Sequence, residues 1–196
     1  TAAYHLAGKF GWTDLIYTHF TARIPDQEDC FLINPFGLHF HEVTPDNLIK
    51  VDYDGNILSD TAYEINPAGS VIHGATHAAR PDVACVLHLH TANGVAVSSV
   101  RDGLLPISQH ALHLYGDIAY HDYEGIAMRE EEKVTIVRDL GMKKVMLLRN
   151  HGTLIAGATV PEAFMLAYML EKAAEMQIKT LAQGMPICVV PTEVCE

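Results

Sequence analysis

The run Val83-Ala84-Cys85-Val86-Leu87-His88-Leu89-His90 constrains this chain more than any other segment. It is apolar without alternation until its last residues, the pattern of a strand buried on both faces. Such a strand belongs inside a sheet that is covered on both sides. It ends on two imidazoles at period two, which puts both rings on one face, about 6 to 7 Å apart along the strand. Polar groups there need a partner: a hydrogen bond, water or a shared ion.

A second strand end supplies a third imidazole. His151 stands at the sharp Asn150-His151-Gly152 turn, directly after the apolar segment 144–149, and Gly152 permits close backbone approach. Three histidines on two strand ends form a three-nitrogen donor set with an open position, suited to one divalent metal. His88, His90 and His151 are therefore the expected ligands. His73 and His77 are a rival pair, spaced i, i+4 on a helix face. Their segment, His73-Gly74-Ala75-Thr76-His77, lacks the glutamate of a metalloprotease helix, so packing or hydrogen bonding is the expected role, with His73 lining the pocket.

The rest of the chain alternates strands and helices. Residues 1–12 read as the end of an amphipathic helix closed by Gly11. Residues 15–23 and 30–34 read as strands joined through Pro25-Asp26. Thr44-Pro45-Asp46 caps a helical turn, and 48–53 with 57–58 form a hairpin around Asp54-Gly55-Asn56. A helix spans Pro67–Ala79 and must stop before Arg80-Pro81. Residues 91–100 tolerate a helix and 104–107 are extended. A strand covers 116–123, a charged helix 129–140, strands 144–149 and 153–156, and a long helix runs from Val160 to about Gln183. Hairpins join several neighbours, so the expected fold is a three-layer α/β/α sandwich around a mixed, largely antiparallel sheet. Residues 1–184 form one domain and 185–196 a loose tail.

At 196 residues the chain suits a single core. A net charge of −11 disfavours nucleic acid and anionic membrane surfaces as partners, since phosphate rewards clustered Lys and Arg. No apolar run reaches the length of a membrane helix, and no secretory leader is visible. Cys30, Cys85, Cys188 and Cys195 show neither zinc spacing nor a disulfide framework, as expected of thiols in a reducing cytoplasm.

Several segments together resemble the class II aldolase/adducin family. They are Gly11-Trp12, Ile33-Asn34-Pro35-Phe36-Gly37, Arg80-Pro81-Asp82, His88-Leu89-His90-Thr91, Leu105-Pro106-Ile107-Ser108-Gln109 and Arg149-Asn150-His151-Gly152. The resemblance implies a cytoplasmic homotetramer with active sites at subunit interfaces. It also implies one divalent metal per chain, usually zinc, with Mn, Fe, Co or Ni as alternatives, on His88, His90 and His151. Phe36, Leu38, Leu112 and Leu114 suit the interfaces.

The departures are as informative. Where sugar-phosphate aldolases of the family carry Ser-Ser-Glu, this chain has Pro67-Ala68-Gly69. Their Gly-Asn-x-Ser phosphate loop falls at Thr18-His19-Phe20-Thr21, and their neighbour-subunit tyrosine near Gln109-His110. The space at Gly69 is left to substrate or water. His110, His73 and His19 remain as candidate proton-transferring residues. The expected activity is a metal-dependent lyase acting on a small hydroxy-carbonyl or oxo-acid, with decarboxylation favoured because the aldolase carboxylate is missing. The alternative is a non-catalytic scaffold similar to the adducin head, which keeps the histidines. The lack of an extended basic tail after the long helix favours the enzyme.

Overall fold

The computed structural model describes residues 1–27, 29–125 and 130–195. Seven strands make one sheet: β1 (His19–Arg23), β2 (Cys30–Ile33), β3 (Ile49–Asp52), β4 (Cys85–Leu89), β5 (Ile118–His121), β6 (Val145–Leu148) and β7 (Gly152–Gly157). Their order is β3-β2-β1-β4-β7-β6-β5, antiparallel throughout except for the parallel pair β5–β6. The sheet is mixed and largely antiparallel, as the hairpin signals imply.

Strand parity sorts the core into two layers. Cys85, Leu87 and Leu89 of β4 join Val145, Leu147 and Ile155. They are covered by Ala163, Ala167, Leu170 and Ala174 of the long helix Val160–Leu181. The opposite set, Val86, Met146, Leu148, Leu154 and Ala156, packs under Ile72 of helix Pro67–Ala79 and under Ile136 and Leu140 of helix Glu130–Leu140. His88 has the parity of this second set, so its ring faces helix Pro67–Ala79.

In chain order the helices are α1 (Ala2–Lys9), α2 (Pro67–Ala79), α3 (Ala92–Ser98), α4 (Gln109–Leu112), α5 (Glu130–Leu140), α6 (Val160–Leu181) and α7 (Thr192–Cys195). Helix α2 keeps the expected bounds because both ends are specified. The Asn66 side chain accepts from the Ala68 N–H, and Pro67 takes a position whose N–H would be unpaired anyway. At the other end Arg80 pairs with Asp82 at 2.7 Å and donates to the carbonyls of Gly141 and Lys143, tying the α2 terminus to the end of α5. Thr159 caps α6 by accepting from the Glu162 N–H.

Several elements differ from expectation. The first strand begins at His19 rather than residue 15, because Leu15 adopts φ 48° and the Tyr17 N–H closes a turn on the Asp14 carbonyl. A 3₁₀ turn forms at Phe40–Glu42, whereas 45–47 is only a turn held by the Asn47 side chain on the Thr44 N–H. The hairpin after β3 is reduced to a single bridge, Val51 to Ile57. Helix α4, capped by Ser108, falls between the extended piece at 104–107 and the strand at 116–123, where the sequence reading assigns no element. Leu114 is fully buried in the core, so it is not interface material in this chain. The expected start of α5 at Arg129 lies outside the described residues. Among the described residues no helix is long and apolar enough to cross a membrane.

Candidate functional site

Antiparallel pairing of β4 with β7 sets Leu89 opposite Thr153, so the strand end carrying His90 meets the turn carrying His151. That turn is tight: Asn150 has φ 59°, and the His151 N–H bonds the Leu148 carbonyl at 3.1 Å. Gly152 is required for the approach, since a Cβ there would lie 2.4 Å from the Leu89 carbonyl oxygen. The result is convergence of three imidazoles. His90 Nε2 is 2.8 Å from His88 Nε2 and 3.0 Å from His151 Nε2.

The other ring nitrogens show what that convergence means. His88 Nδ1 lies 3.0 Å from the Thr153 carbonyl oxygen, and His90 Nδ1 lies 3.0 Å from Asp14 Oδ2. Both partners only accept, so both Nδ1 atoms carry the proton and both neutral rings present a bare lone pair at Nε2. Two lone pairs 2.8 Å apart repel unless a cation lies between them. A tetrahedral zinc bound at 2.0 to 2.1 Å spaces its nitrogens about 3.3 Å apart, close to what is seen. Burial first, and then the neighbouring histidines, hold His88 far below the usual imidazole range and His151 at about 4. Those two rings are therefore neutral at physiological pH, as metal ligands must be. The three could hold a metal.

The cluster forms one wall of a cavity of about 400 Å³, shared with His19, Tyr17 and Tyr123. His19 stands directly across from His88 in the β1–β4 register, with ring centroids 5.0 Å apart. It also occupies the space at Gly69 that the sequence leaves to substrate or water. A Cβ on Gly69 would meet His19 ring atoms at 3.4 Å and Ile33 Cδ1 at 3.0 Å. Burial, then the charges of His90 and His151, lower the His19 pKa to about 3.

The remaining candidates lie elsewhere. His73 has no exposed surface, and both its ring nitrogens are engaged, with His19 and with Thr21, so it cannot line the pocket as the sequence suggests. His77 is likewise buried and bonds Thr21, consistent with the packing role expected of it. His110, on α4, does not line the cavity of its own chain. Sequence reasoning missed Asp14, the Thr153 carbonyl and Thr21. Asp14 sits in an irregular turn with no periodic signal, and the other two act through pairing register.

The fold and this cluster define a class II aldolase-type α/β sandwich with three convergent histidines. The family model of the Class II Aldolase and Adducin N-terminal domain matches residues 1–178, and the chain belongs to that family. A crystal structure of an aldolase II superfamily protein from Pseudomonas syringae is 52% identical and superposes with a TM-score of 0.96, over 99% of this chain and 79% of that one. An L-fuculose 1-phosphate aldolase from Glaciozyma antarctica is 31% identical with a TM-score of 0.89, over 99% of this chain and 76% of that one. Alpha-adducin of Mus musculus is 50% identical over 186 residues, which are 93% of this chain but 25% of adducin.

Proposed function

We propose that the chain is a divalent-metal-dependent lyase acting on a small chelating hydroxy-carbonyl or oxo-acid, with decarboxylation favoured over aldol cleavage. The carrying observation is the convergence of three Nε2 atoms, two of them on rings, His88 and His90, whose Nδ1 is already committed as a donor. His88, His90 and His151 would hold the metal, and three neutral imidazoles suit zinc. When bound, the metal supplies Lewis acidity that draws electron density from a carbonyl oxygen.

The residues of the chain supply the rest. Asp14 and the Thr153 carbonyl fix the orientation of two ligand rings. His19 faces the cavity as a neutral ring and accepts a hydrogen bond from a substrate hydroxyl. Its low basicity explains the preference for decarboxylation. Aldol cleavage requires a base to remove the hydroxyl proton, and a group with a pKa near 3 is poor at that near pH 7. Decarboxylation releases CO₂, leaves the bonding electrons on the substrate, and needs only a later proton from water. The sugar-phosphate alternative is disfavoured for a second reason. Thr18-His19-Phe20-Thr21 is buried and mostly strand, with Phe20 in the core, rather than an open loop able to cradle phosphate.

The test is a panel of hydroxy-carbonyl and oxo-acids, with and without phosphate, incubated with zinc-loaded protein while CO₂ and carbonyl products are measured. Release from a phosphate-free acid, abolished in His151→Ala, supports the proposal. Turnover of a ketose 1-phosphate at an ordinary rate of about 1 to 10³ per second contradicts it. The family's interface-shared site would require a neighbouring copy to bring His110 over the cavity, so light scattering should report a tetramer. A second reading, a catalytically silent scaffold, draws on the likeness to alpha-adducin. It predicts metal-loaded, folded protein with no turnover anywhere in the panel.

A further inference from the structure

Helix α2 and the loop after β2 meet the cavity with a wall unsuited to an anion. Among the described residues no Lys or Arg lines the cavity, and its one carboxylate, Asp14, already pairs with His90. The start of α2 lines it through Asn66, Pro67 and Ala68. A helix N-terminus facing a cavity is ordinarily an anion site, because its first N–H groups have no partner within the helix. Here those donors are missing or spent. Pro67 has no N–H, the Ala68 N–H donates to Asn66 Oδ1 at 3.1 Å, and the Gly69 N–H donates to the Asn66 carbonyl at 2.9 Å. The loop is closed in the same way, since the Phe36 N–H donates to the Glu64 carbonyl at 2.8 Å.

What these segments offer instead is carbon. Phe36 and Pro67 line the cavity, and Ala68 and Ile72 follow one another on a single face of α2, four residues apart. The polar side chains left on the wall, besides the histidines and Asp14, are Asn66, Tyr17 and Tyr123, none of them a cation. A phosphate or carboxylate placed against this wall would give up water and gain no countercharge. An apolar group placed there gives up unfavourable hydration instead. The room is also generous. The cavity of about 400 Å³ falls within the roughly 300 to 1,000 Å³ of pockets that enclose drug-sized ligands, more than a three-carbon acid fills.

We propose that the cavity selects α-hydroxy or α-oxo acids whose β-carbon carries an uncharged apolar group of phenyl size, seated on Phe36, Pro67, Ala68 and Ile72. This rests on the reading of the cavity as the substrate site and names the class of acid that the site takes. The chelating head belongs to the metal that His88, His90 and His151 would hold, and the tail decides which acid is accepted. The same wall discriminates against an anionic tail, because a charged end finds neither a basic side chain nor a spare N–H on α2 or the loop.

The test is calorimetric titration of the zinc-loaded protein with three α-hydroxy acids that share one head: lactate, phenyllactate and β-phosphoglycerate. Phenyllactate should bind about 10- to 100-fold more tightly than lactate, the gain that burial of an aromatic side chain supplies. β-Phosphoglycerate should bind no more tightly than lactate. Phe36→Ser should lower the phenyllactate-to-lactate ratio several-fold, and His151→Ala should lose binding of phenyllactate. Phenyllactate no tighter than lactate, or β-phosphoglycerate the tightest of the three, overturns the proposal on the unaltered chain alone, even where Phe36→Ser fails to fold. An unchanged ratio in folded Phe36→Ser overturns it as well, and so does full binding of phenyllactate by His151→Ala, which would place the ligand elsewhere. Titration needs no turnover. A protein inactive across the panel that still prefers phenyllactate would sink the proposed lyase and leave this selectivity standing. An active protein indifferent to the phenyl group would do the reverse.

Discussion

Gly152→Ala perturbs the convergence of the histidines without touching any of their rings. The added Cβ would sit 2.4 Å from the Leu89 carbonyl oxygen and 3.0 Å from His90 Cδ2. An ordinary C···O approach is about 3.3 Å, so the strand ends must part by roughly 0.9 Å. Both contacts are with the end of β4, and neither the Leu89 backbone nor the ring of His90, held by Asp14, is a flexible side-chain tip. Overpacking of this kind costs about 1 to 3 kcal/mol, a fall in Tm of roughly 2 to 12 °C for a chain of this size. Parting the strand ends also widens the His90–His151 spacing, now 3.0 Å. Metal affinity should fall about 10- to 100-fold, as when a residue that orients a ligand is lost. Calorimetry and competitive titration against a chelator measure the two effects. Gly8→Ala is the control, since its Cβ would meet nothing nearer than 4.0 Å. A Gly152→Ala protein with wild-type Tm and wild-type affinity would refute the claim that close strand approach builds the site.

Two further outcomes follow from the same geometry. Asp14→Asn weakens the acceptor that orients His90, so affinity for zinc should drop by about 10- to 100-fold while the Tm of the metal-free protein stays put, because Asn keeps the shape of the half-exposed Asp14 side chain; equal affinity in the titration would remove Asp14 from the account. Acid should destabilise the fold below pH 6.5. Burial, then the Arg23 charge, lower His77 to about 3, and burial also lowers His73, so the unfolded chain binds protons there that the folded chain refuses. Stability is complete above the unfolded value of 6.5 and is lost as pH falls toward the folded values, approaching about 1.4 kcal/mol per pH unit for each ring. Urea melts between pH 7 and 5 with a constant midpoint would contradict this.

The clustering of the three histidines was legible in the sequence because strand periodicity and a glycine-relieved turn are local signals. His88, His90 and Asn150-His151-Gly152 need only the knowledge that two strands end together. Helix α2 was legible to the residue because Asn66-Pro67 starts it and Arg80-Pro81 stops it. His19 was placed among the candidates, but its setting was not readable. Its contact with His73 spans 54 residues, and its position over Gly69 depends on the register that sets it opposite His88. Asp14 was hidden for a related reason. The left-handed Leu15 beside it breaks the apolar pattern that otherwise reads as strand from residue 15. The burial of His73 also depends on packing, since helix spacing alone does not say which face of α2 meets the sheet.

The central claim, that His88, His90 and His151 hold one divalent metal, is tested most directly by counting metal. Elemental analysis of protein purified without added metal, or reconstituted with zinc and desalted, should give one equivalent per chain. His88→Ala, His90→Ala and His151→Ala should each lose most of it, and His77→Ala should keep it. One full equivalent retained in all three ligand variants, or none taken up by the unaltered chain, would contradict the account.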